Sequence, residues 1–216
     1  MILILLGPPG AGKGTQAKLL SRDLQVPHIS TGDMFRDHKA RGTELGKKVD
    51  AIMASGGLVP DDVTNEMVKD RLSRPDVARG FILDGYPRTT AQADYLDRQL
   101  VSMGRKLDRA VSYEIASALL VDRMSGRRSC PKCGAVYHVT ANPPRQAGAC
   151  DREGAALVQR DDDKAETVAR RLREYEAKTE PLKRYYHERG ALADVPGTGS
   201  PDEVLGAAKR VLGIAR

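Results

Sequence analysis

Gly7-Pro8-Pro9-Gly10-Ala11-Gly12-Lys13-Gly14-Thr15 follows the apolar run Ile2–Leu6 and opens a helical pattern over residues 12–24, with Ala17, Leu20 and Leu24 on its inner side. A strand, a glycine-rich turn and a helix in this order make a cradle for phosphate. The glycines let the backbone curl until successive N–H groups point at phosphate oxygens. The helix N-terminus adds its dipole, and Lys13 brings a mobile charge to the β/γ-phosphates. A glycine turn without a ligand is the plain alternative, and the strand–turn–helix context argues against it. One position departs from the generic pattern, which places Ser or Thr after the lysine to hold Mg2+. Here Gly14 stands in that place and Thr15 comes one later. Magnesium is then expected to be held through water, by phosphates and by a carboxylate such as Asp84 at the end of the third apolar run. Direct hydroxyl coordination of the switch-GTPase kind does not fit, and no Asn-Lys-x-Asp guanine-reading segment is present.

Outward from this loop, the chain alternates short apolar runs with helical patterns. Runs at 26–30, 81–84, 110–115 and 191–195 join the first, and helices are expected at 90–103, 116–124, 164–189 and Pro201–Leu212. Ser200 is a candidate N-cap with Pro201 at the first helical position. Pro181 is expected to kink or break the long 164–189 pattern, which carries Val168, Leu172, Tyr175, Leu182 and Tyr186. Five buried runs separated by helices predict an α/β fold with a five-stranded parallel sheet covered on both faces. Two segments break the rhythm. Residues 31–59 are helical and polar, and residues 127–163 are rich in Gly, Pro, Cys and charge, too long for a plain loop.

Composition narrows the function. With 216 residues, 40% hydrophobic and 30% charged, the chain is long enough for one core domain with small insertions. The net charge of +6 suits partners rich in phosphate. Aromatic residues are only 4%, with no Trp, so stacking platforms for single-stranded nucleic acid are scarce. The opening apolar run is too short for a signal region or a membrane span, which predicts a cytoplasmic protein with neither membrane nor nucleic-acid partners. Three cysteines, Cys130, Cys133 and Cys150, lie within 21 residues of one another. An odd number without a secretory signal points to thiols or metal ligands and not to a disulfide framework.

Several motifs, in order along nearly the whole chain, carry a resemblance to one family. They are Gly14-Thr15 after the lysine, Thr31-Gly32-Asp33-Met34-Phe35-Arg36, Asp84-Gly85-Tyr86-Pro87-Arg88-Thr89 and Asp122-Arg123-Met124-Ser125-Gly126-Arg127-Arg128. Tyr137-His138 to Asn142-Pro143-Pro144, Arg160-Asp161-Asp162 and Arg170-Arg171-Leu172 continue the series. Together they resemble the adenylate kinases, P-loop nucleoside monophosphate kinases with two mobile insertions. The resemblance implies a core of residues 1–30, 60–126 and 164–216, an AMP-binding segment at 31–59 and a lid at 127–163. It implies Mg-dependent transfer of a phosphoryl group from ATP to AMP, giving two ADP, by a monomer.

The same resemblance assigns residues. Gly10, Ala11, Gly12, Lys13, Gly14, Thr15, Arg123, Arg127, Tyr137 and Gly199 would bind ATP, with Arg123 stacking on its adenine. Thr31, Arg36, Gly57, Leu58, Val59, Gly85, Arg88, Gln92, Arg160 and Arg171 would bind AMP, with Arg36 and Arg88 on its phosphate. Lys13, Arg88, Arg127, Arg160 and Arg171 would be catalytic. The chemistry agrees: transfer between two polyanions needs fixed positive charge and exclusion of water, and guanidinium forks suit phosphate oxygens. The nucleophile, an AMP phosphate oxygen, is already anionic, so no general base is required. Gln92 can meet an adenine edge with its amide, or sit as an ordinary helix residue. Asp33 is either an N-cap or, with Asp161 and Asp162, a group that shapes or closes the lid.

Cys130-Pro131-Lys132-Cys133 sets two thiolates on a tight turn, and Cys150 follows after 16 residues. A tetrahedral zinc site wants a fourth ligand at position 153, where this chain has Glu153, with Asp151 as the alternative. A metal-free lid with three reduced thiols is the other reading, and His138 is a spare ligand or a packing residue. A kinase for UMP or CMP is the nearest rival in function, and an RNA-binding zinc module is the rival from another class.

Overall fold

The computed structural model describes residues 1–214, so Ala215 and Arg216, the last two residues of the expected core segment, lie outside the described residues. Five parallel strands form one sheet: β1 (Ile2–Leu6), β2 (His28–Ser30), β3 (Phe81–Asp84), β4 (Arg109–Glu114) and β7 (Leu192–Pro196), in the order β2-β3-β1-β4-β7. Ile4 of β1 lies opposite Leu83 on one side and Ala110 on the other. Every residue of β1 is buried, because alternate side chains enter two different cores. Ile2, Ile4 and Leu6 pack with Phe81, Leu96 and Leu182, whereas Leu3 and Leu5 pack with Leu20, Val111 and Leu205. Each such side chain contributes roughly 1.5–3 kcal/mol through burial. That double burial is why the strand reads as an unbroken apolar run. The expected parallel sheet is present.

The first core is covered by α4 (Asp61–Leu72), α5 (Thr90–Ser102) and α8 (Pro181–Glu188), and the second by α1 (Lys13–Leu24) and α9 (Pro201–Leu212). Ser200 caps α9 as expected, and the structure adds Glu203 in a capping box in which the two residues satisfy each other's backbone N–H. β2 is shorter than expected. Pro27 still accepts from Ile82 N–H at 2.9 Å, but it has no N–H with which to join the ladder. α4 has no counterpart in the sequence reading. Its inner face mixes Thr64 with Met67, Val68 and Leu72, and charges surround it, so the apolar stripe is thin.

The 164–189 pattern divides as its proline implies. α7 (Ala165–Glu174) runs into a widened five-residue turn, Tyr175–Thr179, before α8 begins at Pro181. Residues 31–59 hold α2 (Thr31–Ala40) and α3 (Glu44–Ala54), packed about Phe35 and Val49. Residues 127–163 hold the antiparallel pair β5 (Arg127–Ser129) and β6 (Val136–His138), and a small core of Cys130, Ala135, Tyr137 and Cys150. Between the latter and α6 (Ala118–Ser125) the chain passes without a break. Among the described residues no helix is long and apolar enough to cross a membrane.

Candidate active site

The sheet order reverses at β1, which puts the loop after Leu6 and the end of β3 at the crevice where parallel α/β sheets bind ligands. α1 has no side-chain cap; its N-cap is Gly12 at φ 86°, a left-handed conformation that glycine adopts freely. The first N–H groups of α1 are therefore available to an anion. Lys13 Nζ donates to the carbonyls of Gly7 at 2.7 Å and Pro8 at 2.9 Å, leaving one of its three N–H bonds for a ligand. Burial, with the charges of Arg88, Arg171 and Arg127, brings this lysine down to about 8, against the pull of Asp84.

Gly14 has a steric reason. A Cβ there would lie 3.3 Å from Asp84 Oδ2, so a Ser or Thr side chain at this position would crowd the carboxylate. Burial alone would raise Asp84, but a hydrogen bond from His28 Nε2 (3.2 Å) and the charge of Lys13 more than offset it and hold the carboxyl below its usual range. An ionised, inward carboxylate beside the phosphate loop suits the hydrated shell of a hard divalent cation.

Lys13, Arg36, Arg88 and Arg171 line one cavity, together with Gly56, Gly57, Leu58 and Asp162. Burial lowers Arg171 to about 10, with Asp162 opposing; Arg160 is likewise lowered to about 10, by burial and by the neighbouring charges of Arg36 and Arg127. Both stay cationic at neutral pH. Adjoining this cavity, Thr31, Gly57, Leu58, Val59, Gly85, Arg88 and Gln92 share a second, smaller pocket. All the residues expected to hold the AMP nucleoside thus come together. Thr31 Oγ1 and Arg88 Nε both donate to Gly85 O, at 2.9 and 2.8 Å. Gln92 is more committed than its sequence suggests: Oε1 accepts from Arg88 N–H at 2.7 Å and Nε2 donates to Asp61 at 2.7 Å. One N–H and one lone pair of its amide remain.

The arginines are aimed by carboxylates. Asp163, fully buried, receives Arg127 through two nitrogens and Arg171 Nη1 at 3.3 Å. Asp162 pairs with Arg171 at 2.8 Å. Arg160 Nε donates to Ser129 Oγ at 2.9 Å. Arg36 pairs with Asp33 at 2.6 Å, and Ser30, not Asp33, caps α2 by accepting Asp33 N–H. The N-cap alternative for Asp33 is therefore corrected, because the helix starts at Thr31 and its N-cap is Ser30. Asp163 and Asp61 went unread in the sequence. The third Asp of a run before a helix looks like N-terminal charge, and only the tertiary contact with Arg127 distinguishes it.

On the other side of the loop, Arg123 Nη1 donates to Gly197 O at 3.1 Å, tying α6 to the segment carrying Gly199. Gly199, at φ 110°, lies so near Glu203 of the capping box that a Cβ would approach its Oε2 to 2.8 Å. The structure places Tyr137 inside the lid core, where its hydroxyl accepts Asp151 N–H at 2.9 Å and lies 3.6 Å from Cys150 Sγ. His138 also packs locally, with Nε2 3.1 Å from Asp122 O.

The sulfur atoms of Cys130, Cys133 and Cys150 all lie within 4.8 Å of one another. Two matching turns build this cluster. Cys130 N–H donates to Ala135 O and Gly134 N–H to Cys130 O; Cys150 N–H donates to Ala155 O and Gly154 N–H to Cys150 O. Both glycines are left-handed, at φ 66° and 62°. Glu153 stands in the second turn where Cys133 stands in the first, but its side chain is exposed and outside the sulfur cluster. Asp151 is occupied by Arg145 N–H at 2.8 Å. Against the desolvation that opposes it, the N–H groups of Arg152 and Glu153 and the Tyr137 hydroxyl bring Cys150 down to about 6, the thiolate form that a soft cation needs.

A phosphate loop on a parallel sheet, with arginines converging from two insertions, defines a P-loop kinase of the nucleoside monophosphate type. The adenylate kinase family model matches residues 5–191. The chain is 73% identical over 212 residues to an adenylate kinase of Anaeromyxobacter sp. strain Fw109-5, covering 98% of this chain and 99% of that one. It is 71% identical to the adenylate kinase of Anaeromyxobacter dehalogenans strain 2CP-1, covering 99% and 100%. The adenylate kinase of Symbiobacterium thermophilum is 51% identical over the full length of both. The chain belongs to the adenylate kinase family.

Proposed function

We propose that the chain catalyses the reversible reaction ATP + AMP = 2 ADP, with ATP phosphates on the 7–15 loop and AMP in the pocket between Thr31, Gly85 and Gln92. One observation carries this: Lys13 from the phosphate loop and Arg36, Arg88 and Arg171 from other elements meet in a single cavity joined to that pocket. Arg36 and Arg88 hold the AMP phosphate, whose oxygen is already a charged nucleophile. Arg127, Arg160 and Arg171 surround the moving phosphoryl group, where charge spreads over its equatorial oxygens. Asp163, which is fully buried, accepts hydrogen bonds from two of these forks and so ties them to one another. Arg123 and the Gly199 backbone receive the ATP adenine.

When bound with ATP, magnesium would supply positive charge against the β/γ-phosphates. Asp84 is the carboxylate that would hold its water shell. Zinc suits the lid, with Cys130, Cys133 and Cys150 as ligands and Glu153 as the fourth by its place in the second turn. There it would tie together a segment whose own core is four residues. The segments 31–59 and 127–163 close over the nucleotides and exclude water, a motion for which adenylate kinases are a standard example. Contacts already join the parts that move: Lys39 of α2 lies 3.5 Å from Asp161, and Lys18 of α1 donates to Gly134 O at 3.0 Å. Both nucleotide sites come from one chain, which fits a monomer, and three cysteines that form no disulfide with one another fit a reducing cytoplasm.

The test is an assay of purified protein with Mg2+, ATP and each of AMP, UMP, CMP and GMP. ADP should form with AMP at a kcat/KM at least about 100-fold above the others, the discrimination that unpaired polar groups in a base pocket give. No ADP from ATP and AMP would end the proposal.

A further inference from the structure

We infer that Thr179 is a positioning residue for the AMP phosphate site, acting through the backbone of Arg88; this rests on the reading that Arg88 holds that phosphate. Thr179 ends the widened turn Tyr175–Thr179, closed by Glu180 N–H to Tyr175 O at 2.9 Å. Widened turns of this type recur at functional sites, where the extra residue redirects a side chain. Pro181 explains why the helix loosens here, since it has no N–H to give to the preceding turn. The loosened turn puts both Tyr175 and Thr179 on the wall of the cavity that Lys13, Arg88 and Arg171 share.

Thr179 is buried, and its Oγ1 donates to Arg88 O at 2.9 Å across 91 residues of sequence. On the other side of the same residue, Arg88 N–H donates to Gln92 Oε1 at 2.7 Å, and Arg88 Nε donates to Gly85 O at 2.8 Å. Gln92 is itself held by Asp61, which also accepts from Thr89 Oγ1 at 2.8 Å. Both peptide groups of Arg88 and the base of its guanidinium are therefore fixed, leaving the terminal nitrogens to face an anion. Of these restraints, Thr179 is the one supplied by the α7–α8 region that also carries Arg171. It couples the aim of the AMP-side arginine to the element bearing the phosphoryl-side arginine. A fork misplaced by a fraction of an ångström loses bidentate geometry, and affinity with it.

The experiment compares Thr179→Val, which keeps the branched shape without the donor, with Thr179→Ser, which keeps the donor, each alone and with Arg88→Lys. We expect Thr179→Val to raise KM for AMP about tenfold with KM for ATP within about twofold, and Thr179→Ser to stay within about threefold of the parent. In the Arg88→Lys background the Val substitution should add less than about twofold, because its route is already cut. An unchanged KM for AMP, an equal rise for both nucleotides, or an undiminished effect in the Arg88→Lys background overturns the inference. If Arg88→Lys alone raises KM for AMP while Thr179→Val is silent, only the positioning role falls. If Arg88→Lys leaves AMP untouched, the reading of Arg88 falls and the role of Thr179 goes with it.

Discussion

The Lys13 ammonium is buried beside Arg88, Arg171 and Arg127, and its descent from 10.5 to about 8 corresponds to about 3 kcal/mol of opposition to charge in the fold. Because the folded value lies below the unfolded one, this cost is fully present below pH 8 and fades as pH rises towards 10.5. Lys13→Met removes it along with two hydrogen bonds worth about 1 kcal/mol each. The variant should melt roughly 2–4 °C above the parent at pH 7, with the order reversed by pH 10, where the cost has faded and the lost hydrogen bonds remain, while activity drops about 1000-fold. Thermal melts at the two pH values and a rate assay check this, and a lower melting point at pH 7 would contradict it. What the sequence shows at this scale is any residue whose role is local: Lys13, the glycines of the loop, Ser200. Asp163, Asp61 and Thr179 were illegible because each acts on a partner far along the chain, and a lone Asp or Thr has no local pattern that announces it.

Elements were legible in proportion to their periodicity. The five strands and α1, α5, α6 and α9 follow from apolar runs and caps, whereas α4 escaped because polar Thr64 sits among its buried residues. The lid was legible through its composition, its length and its cysteine spacing, yet the structure adds the pairing of two like turns, which makes Glu153 the geometric counterpart of Cys133. Protein purified without added metal should contain one zinc per chain. Cys133→Ser should reduce that content and lower the melting temperature by about 5 °C or more, and Glu153→Cys should retain zinc against a chelator longer than the parent. Parent protein free of metal, with an unchanged melt in Cys133→Ser, would leave the lid as a thiol-lined structure only.

The molecule as a whole is joined across its two insertions by charge. Lys39 Nζ bridges Asp50 within one segment at 2.6 Å and Asp161 in the other at 3.5 Å, and all three side chains are partly exposed. Contacts of this kind contribute at most about 1 kcal/mol and are screened by salt. Lys39→Ala should therefore leave global stability within about 1 kcal/mol, while turnover rises up to about threefold if opening is the slow step. It should also flatten the dependence of kcat on ionic strength. A kcat and a salt profile identical to the parent would show that the bridge has no part in the cycle. The sheet order has a consequence for synthesis. β1 is translated first, but its neighbours are Phe81 onward and Arg109 onward, so five adjacent aliphatic residues leave the ribosome long before either flanking strand exists. The nascent chain must keep that greasy segment from sticking elsewhere until Glu114 has been added, and the nucleotide cradle is assembled only after that wait.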